Sequence, residues 1–434
     1  MLPDDILLEI FSCLFEEQRI QEWIVPAHVC RRWRSVIFQS PHRLNLRLVC
    51  TPRTRARDSL RIWPPFPLVI QDSPRIHQAY YGSIGVDNII AALEHNDRVC
   101  QIELNCFSSS NLEYVTISEA MQKPFPELTD LRLNAFDDKP GPILPNSFFG
   151  GTAPRLRSLI LRDIPFPGLP KLLLSTTHLV DLYLDDIPRS GYIPPEVMAT
   201  NLSALSSLEY LRLHFRYPRP RPALEGRRLP LLPLTRSILP NLTKIRFKGA
   251  SEYLEMILAW IESPRIHELH IAFFNQIIFD TPQLFQFISR RPTLRAQEKC
   301  QIVFNSKALL VKFPSHTSGY DVLSMEIRCT SSEWQLSSLE QLCTLSLPPF
   351  STLEDIYIFE NQGNPPRWHD DVENTLLLGL LRSFVAVKNL YLSERFGPLM
   401  ALPCKNLSGE ERLKFFLHWK NCIWVKACGP SIKE

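Results

Sequence analysis

LTDLRL (128–133), LRSLIL (156–161), LVDLYL (179–184) and LEYLRL (208–213) are four copies of one pattern, apolar-x-x-apolar-x-apolar. Looser copies follow at Leu242/Ile245/Phe247, Ile266/Leu269/Ile271, Val322/Met325/Ile327, Leu353/Ile356/Ile358 and Val387/Leu390/Leu392, and one precedes them at Val99/Ile102/Leu104. Successive starts from Leu128 to Ile266 are 28, 23, 29, 34 and 24 residues apart. The last apolar pair of each copy alternates with polar residues, as a strand with one buried face requires. Amphipathic stretches at 86–96, 194–205, 251–261 and 371–384 separate the strands and read as helices. A lone strand–helix unit cannot bury its own apolar face, whereas stacked units bury a continuous core. A step of this size is that of leucine-rich repeats. The expected fold is therefore α/β, a curved solenoid of parallel strands and outer helices over residues 99–400.

The composition fits such a stack. Of 434 residues, 45% are hydrophobic and 21% charged, enough for a large core. Pro is abundant at 37 and Gly scarce at 15. Pro-x-Leu recurs just before strands, at Pro126/Leu128, Pro154/Leu156 and Pro240/Leu242, so the prolines read as strand-entry signals. A Pro-rich basic loop is expected at 217–237 and an inserted β-hairpin at 299–313, around Asn305. After Ser408 the rhythm is lost, and 401–434 reads as a divergent tail. Residues 50–98 read as a linker and an entry to the solenoid.

The net charge of +3 implies by itself neither a nucleic-acid nor a membrane partner. Eleven scattered Cys without a CxxC pair read as reduced thiols, which points to the cytoplasm or nucleus. Acids at Asp4, Asp5 and Glu9 stand where a signal peptide would be basic and apolar, and no apolar run is long enough to span a bilayer.

The first fifty residues form a separate unit. Ile6, Leu7, Ile10, Phe11 and Leu14 recur at helical spacing behind Pro3-Asp4-Asp5. A second helix is expected to start at Pro26, carrying Val29, Cys30, Trp33, Val36 and Ile37 on one face, and to stop near Ser40-Pro41. So few helical residues bury little surface alone, so a partner or the following domain must cover part of this face. LPDDILLEIF, then HVCRRWRSV, then SPHRL, resembles the F-box motif over residues 1–49. The whole chain, to about residue 400, resembles the large fungal F-box/LRR-like families. That resemblance implies docking to a Skp-type adaptor, through it to a cullin, and selection of a target protein for ubiquitylation. Carried over position by position, it assigns Leu2, Pro3, Ile6, Leu7, Ile10, Phe11, Val29, Cys30 and Trp33 to adaptor binding. A repeat-based interaction scaffold without ligase engagement is the alternative.

No motif for catalysis or cofactor binding is present: GxSxG, GxxxxGK[ST], GxGxxG and HExxH are all missing. The expected protein is a non-enzyme with no cofactor and no metal. His267 and His270 lie three apart on a strand, so they face opposite sides, and Cys422 and Cys428 lack zinc-ligand spacing. Nine Arg against one acid over residues 31–61 read as a solvated flank or a packing seam rather than a nucleic-acid surface. The polar strand positions define the expected target-binding surface: Tyr183, Arg212, Lys244, Arg246, Lys248 and His270. Arg212 and Arg246 are expected to be near neighbours. The face is either a solvated one, its long side chains splayed apart, or a basic pocket for an acidic or phosphorylated segment.

Overall fold

Strands, nearly all parallel, alternating with helices make up most of the described residues. A computed structural model describes residues 2–14, 23–41, 43–72, 83–105, 112–135, 142–217, 236–274, 280–315, 321–344, 352–361, 363–366, 368, 376, 380, 387–393, 396 and 421–425. The chain divides into two units, Met1–Ile193 and Pro194–Glu434.

The first unit begins with three helices, α1 (Asp4–Leu14), α2 (Ile24–Val29) and α3 (Arg31–Gln39). Six strands follow: β1 (Leu48–Cys50), β2 (Leu68–Gln71), β3 (Val99–Leu104), β4 (Asp130–Asn134), β5 (Ser158–Arg162) and β6 (Asp181–Ile187). Each pairs with the next in sequence, and all are parallel. Helices α4 (Ala56–Ile62), α5 (Ser83–Leu93), α6 (Leu112–Ala120) and α7 (Leu169–Ser175) connect them. Strand–helix alternation therefore begins at Leu48, earlier than the apolar triads indicate. Strands β1 and β2 are short, buried at every position but Gln71, and carry no alternating signature.

The second unit holds β7 (Tyr210–Phe215), β8 (Ser237–Ile238), β9 (Lys244–Gly249), β10 (Ile261–Glu262), β11 (Glu268–Phe274), β12 (Lys299–Phe304), β13 (Leu309–Pro314), β14 (Asp321–Arg328), β15 (Asp355–Glu360), β16 (Asn389–Ser393) and β17 (Asn421–Val425). Its helices are α8 (Pro195–Ser203), α9 (Ser251–Trp260), α10 (Pro282–Ser289), α11 (Pro292–Arg295) and α12 (Ser332–Thr344). The main sheet runs β7-β9-β11-β14-β13-β12-β15-β16-β17, with β8 and β10 forming a small parallel pair apart from it. Only β13 runs against its neighbours. The expected hairpin is thus β12–β13, slotted between two parallel runs. Its turn is held by Asn305, whose Oδ1 accepts N–H bonds from Lys307 and Ala308, both at 2.8 Å. The segment read as a divergent tail contributes β17, parallel to β16. Residues 218–235 of the expected basic loop, and nearly all of the expected 371–384 helix, lie outside the described residues.

The repeat has a fixed backbone geometry. The carbonyl of the residue after the first apolar position accepts two N–H bonds from the next unit. Thr129 receives Arg157 and Ser158 at 2.8 and 3.1 Å, Arg157 receives Val180 and Asp181, and Thr243 receives His267 and Glu268. The apolar triads from Val99 to Ile271 and from Leu353 to Leu392 are buried throughout, at most 4% exposed. In the copy at 322–327 the strand is in a different phase: Leu323, Met325 and Ile327 are buried and Val322 is half-buried. Prolines also open helices, occupying the first turn of α7, α8, α10 and α11.

Candidate functional site

The N-terminal helices are held by charges at their start and rings within. Arg32 donates to Asp4 Oδ1 at 2.6 and 3.0 Å and also to the Leu2 carbonyl, and Arg43 pairs with Glu9. Phe11 packs edge-on to Trp33 at 5.2 Å. The expected second helix is in fact two. Cys30 is extended (φ −157°, ψ 168°), and its Sγ accepts the Trp33 N–H at 3.5 Å, capping α3 and ending α2. One side of the bundle is covered by its own chain. Trp23 donates to the Arg47 carbonyl at 2.9 Å and meets Trp63 and Phe66 edge-on, both at 5.2 Å.

That packing divides the nine residues assigned to the adaptor. Leu7 (3% exposed) and Phe11 (0%) are buried inside the unit, with Val36 and Ile37. The resemblance assigns both to the docking face; in this chain taken by itself they are covered by its own residues. Trp33 is half-buried against Phe11. Leu2, Pro3, Ile6 (46% exposed), Ile10 (41%), Val29 and Cys30 are exposed. Leu14 and Val25, which the resemblance does not assign to adaptor binding, are exposed as well. Ile6, Ile10 and Leu14 fall at four-residue intervals on α1, and so form one apolar stripe facing outward.

The second candidate surface lies on the polar face of the second unit's main sheet. The register sets Arg212 opposite Arg246, and Arg246 opposite His270, which faces Ser324. His214 faces Lys248, and Tyr210 and Glu268 flank Lys244. Five of the six expected target residues are therefore brought onto one face. The sixth, Tyr183, lies in the first unit, in register with Ile160. The like-charged pair is accommodated by local partners. The Arg246 guanidinium lies over the Tyr210 ring at 5.8 Å, Arg212 Nε donates to His214 Nδ1 at 3.3 Å, and Lys244 pairs with Glu268 at 2.9 Å. Lys248 Nζ sits over the Phe274 ring at 5.7 Å. Sequence reading had no signal for these ring contacts.

His270 shares a 2.6 Å hydrogen bond between Nδ1 and Ser324 Oγ. Burial lowers its pKa below the ordinary histidine value, and the Arg246 charge adds to this. The same face turns aromatic farther along, where Tyr357 and Tyr391 stack at 4.3 Å. The Tyr357 hydroxyl is pushed up to about 12, first by burial and then by Tyr391. His267 is exposed outside this cluster, and the described residues hold no group of His, Cys, Asp or Glu able to bind a metal. Cys428 lies outside the described residues. No described helix is long and apolar enough to cross a membrane.

Comparison with known proteins agrees with the N-terminal geometry. Residues 1–46 match the F-box-like family model. No curated protein matches the chain. Among solved structures, the chain is similar to the leucine-rich repeat-containing protein LegL7 from Legionella pneumophila, at 12% identity and a TM-score of 0.26, with 89% of this chain and 94% of that one covered. Residues 1–46 thus carry an F-box-like domain, and parallel strand-and-helix units follow it.

Proposed function

We propose that this chain is a target-recognition subunit of an SCF-type ubiquitin ligase, with no catalytic residues of its own. The carrying observation is the outward apolar stripe of Ile6, Ile10 and Leu14 on α1, with Val25 and Val29 also exposed on α2, in the domain that matches the F-box-like family. Apolar side chains left outward at four-residue intervals on one helix of a small helical unit form a patch that marks a docking face. A Skp-type adaptor covers them and connects the chain to a cullin. The strand-and-helix units hold a target protein within reach of the charged conjugating enzyme, so the mechanism is proximity. Its working compartments are the cytoplasm and nucleus, where such ligases act.

Reconstitution tests this reading. Co-expressed with a Skp-type adaptor and a cullin, the chain should co-elute with both as one complex. A chain that elutes alone under those conditions is a repeat-based interaction scaffold without ligase engagement.

A further inference from the structure

The Arg-rich flank at 31–61 divides into two kinds of side chain. Arg32 pairs with Asp4 and Arg43 with Glu9, while Arg34 Nε donates to the Ala27 carbonyl at 2.9 Å and Arg47 Nε to Asn45 Oδ1 at 3.2 Å. The guanidiniums of Arg53, Arg55, Arg57 and Arg61 are exposed and, among the described residues, make neither an ion pair nor a hydrogen bond. Asp58, the one acid over this stretch, is exposed and pairs with none of them.

The backbone beneath these arginines is fixed. A turn closed by Thr51 and Thr54, whose hydroxyls lie 3.0 Å apart, leads into α4. Asn88 of α5 clamps the start of the helix, donating from Nδ2 to the Pro52 carbonyl at 2.9 Å and accepting the Ala56 N–H at 3.4 Å. Ala56 is buried, and Trp63, just after the helix, meets Trp23 edge-on at 5.2 Å. The inward side of α4 is thereby set, and Arg57, Asp58, Arg61 and Ile62 fall together on its outward side. Ile62 is 72% exposed there. Arg57 and Arg61 are one turn apart, a like-charge spacing that costs a helix stability. A rigid backbone thus displays four cations against one carboxylate, next to an apolar side chain left in water.

We infer that this surface rests on an anionic membrane, with the four guanidiniums among the lipid headgroups and Ile62 at the boundary between headgroups and acyl chains. Cations beside an exposed apolar residue suit that boundary, where charge attraction and apolar burial add. A site built for one carboxylate needs guanidiniums held in place by neighbouring groups, and these four have no such partner among the described residues. A fluid layer of headgroups matches side chains without fixed positions, whereas a nucleic-acid backbone offers Ile62 no apolar contact. Attachment of this kind lies on a bilayer and needs no spanning helix. None of these residues belongs to the α1 stripe, so adaptor docking and membrane contact are separate events.

The test floats the full chain with vesicles of phosphatidylcholine alone and of phosphatidylcholine with about 30% phosphatidylserine. Partition onto the anionic vesicles should exceed that onto the neutral ones at least tenfold and fall as salt rises. Each charge at such a surface is worth about fivefold in partition, so the double variant Arg57→Gln, Arg61→Gln should lose at least tenfold. The double variant Arg57→Lys, Arg61→Lys should keep most of the binding, because a headgroup layer reads charge rather than guanidinium geometry, and so reports that the surface is intact. Ile62→Ser, with every charge in place, should lose at least threefold. Equal partition onto the two kinds of vesicle overturns the inference, as does unchanged partition of the Gln double variant or of Ile62→Ser. Loss of binding in the Lys double variant overturns it too, since that marks an anion site of fixed geometry. So does capture of a single-stranded oligonucleotide or of polyglutamate in preference to the anionic vesicles.

Discussion

Ile10 and Phe11 are neighbours in sequence with opposite fates. Phe11 is fully enclosed beside Trp33, whereas Ile10 faces out. Helical periodicity shows that both belong to one broad apolar stripe, but it cannot say which half the chain covers, because that depends on where α3 lies. Phe11→Ala should therefore destabilise the first unit by about 3–5 kcal/mol. Ile6→Ala and Ile10→Ala should each change stability by under about 0.5 kcal/mol, since they remove surface atoms. Urea unfolding followed by far-UV circular dichroism distinguishes the two classes. His270 gives a prediction in pH. Its folded pKa lies below the ordinary histidine value, so the unfolded chain binds the proton more readily. The second unit should then lose stability as pH falls through the ordinary histidine range, and hold it above that range. His270→Gln should flatten this acid limb in unfolding midpoints measured across pH. An equally steep limb in the variant would show that another group is responsible.

At the scale of elements, α10 shows a cap that sequence does not reveal. Its own N-cap residue, Thr281, makes no side-chain cap. Instead the Glu255 carboxylate, from the middle of α9, accepts the N–H groups of Gln283 and Leu284, both at 2.8 Å. Burial raises the Glu255 pKa against these bonds. Glu255→Ala should leave both donors unmet and cost about 1–2 kcal/mol, while Glu255→Gln, which keeps one acceptor oxygen, should cost less. Hydrogen exchange should localise the loss to α10. The pattern of elements was largely legible. The triads from Val99 to Ile271 specify parallel strands because alternation and spacing are local properties, and the 299–313 hairpin follows from two apolar runs around Asn305. Three features were not legible. Strands β1 and β2 lack alternation because both their faces are buried. The break at Cys30 depends on one backbone conformation, and the strand at Asn421–Val425 carries a triad without leucine, Trp419/Cys422/Trp424, which escapes a search for leucine-like copies. On the candidate site, the strand register of Arg212 and Arg246 followed from the repeat, but the rings beneath Arg246 and Lys248 did not, because they depend on side-chain conformation.

Two kinds of surface lie at different places along the chain: a helical N-terminal domain with an outward apolar stripe, and strand-and-helix units whose polar face carries charge. Repeats stacked on their neighbours hold such a face rigid. The central claim is that the outward half of the N-terminal helices docks an adaptor. Isothermal titration of the full chain with a purified Skp-type adaptor tests it most directly, comparing wild type with the double variant Ile6→Asp, Ile10→Asp. Burying one such side chain is worth about 1.5–3 kcal/mol, and every 1.4 kcal/mol is tenfold in affinity. The account predicts stoichiometric binding by wild type and a loss of at least a hundredfold in a variant whose circular dichroism and unfolding midpoint are unchanged. No binding by wild type, or equal affinity in the two proteins, would contradict it.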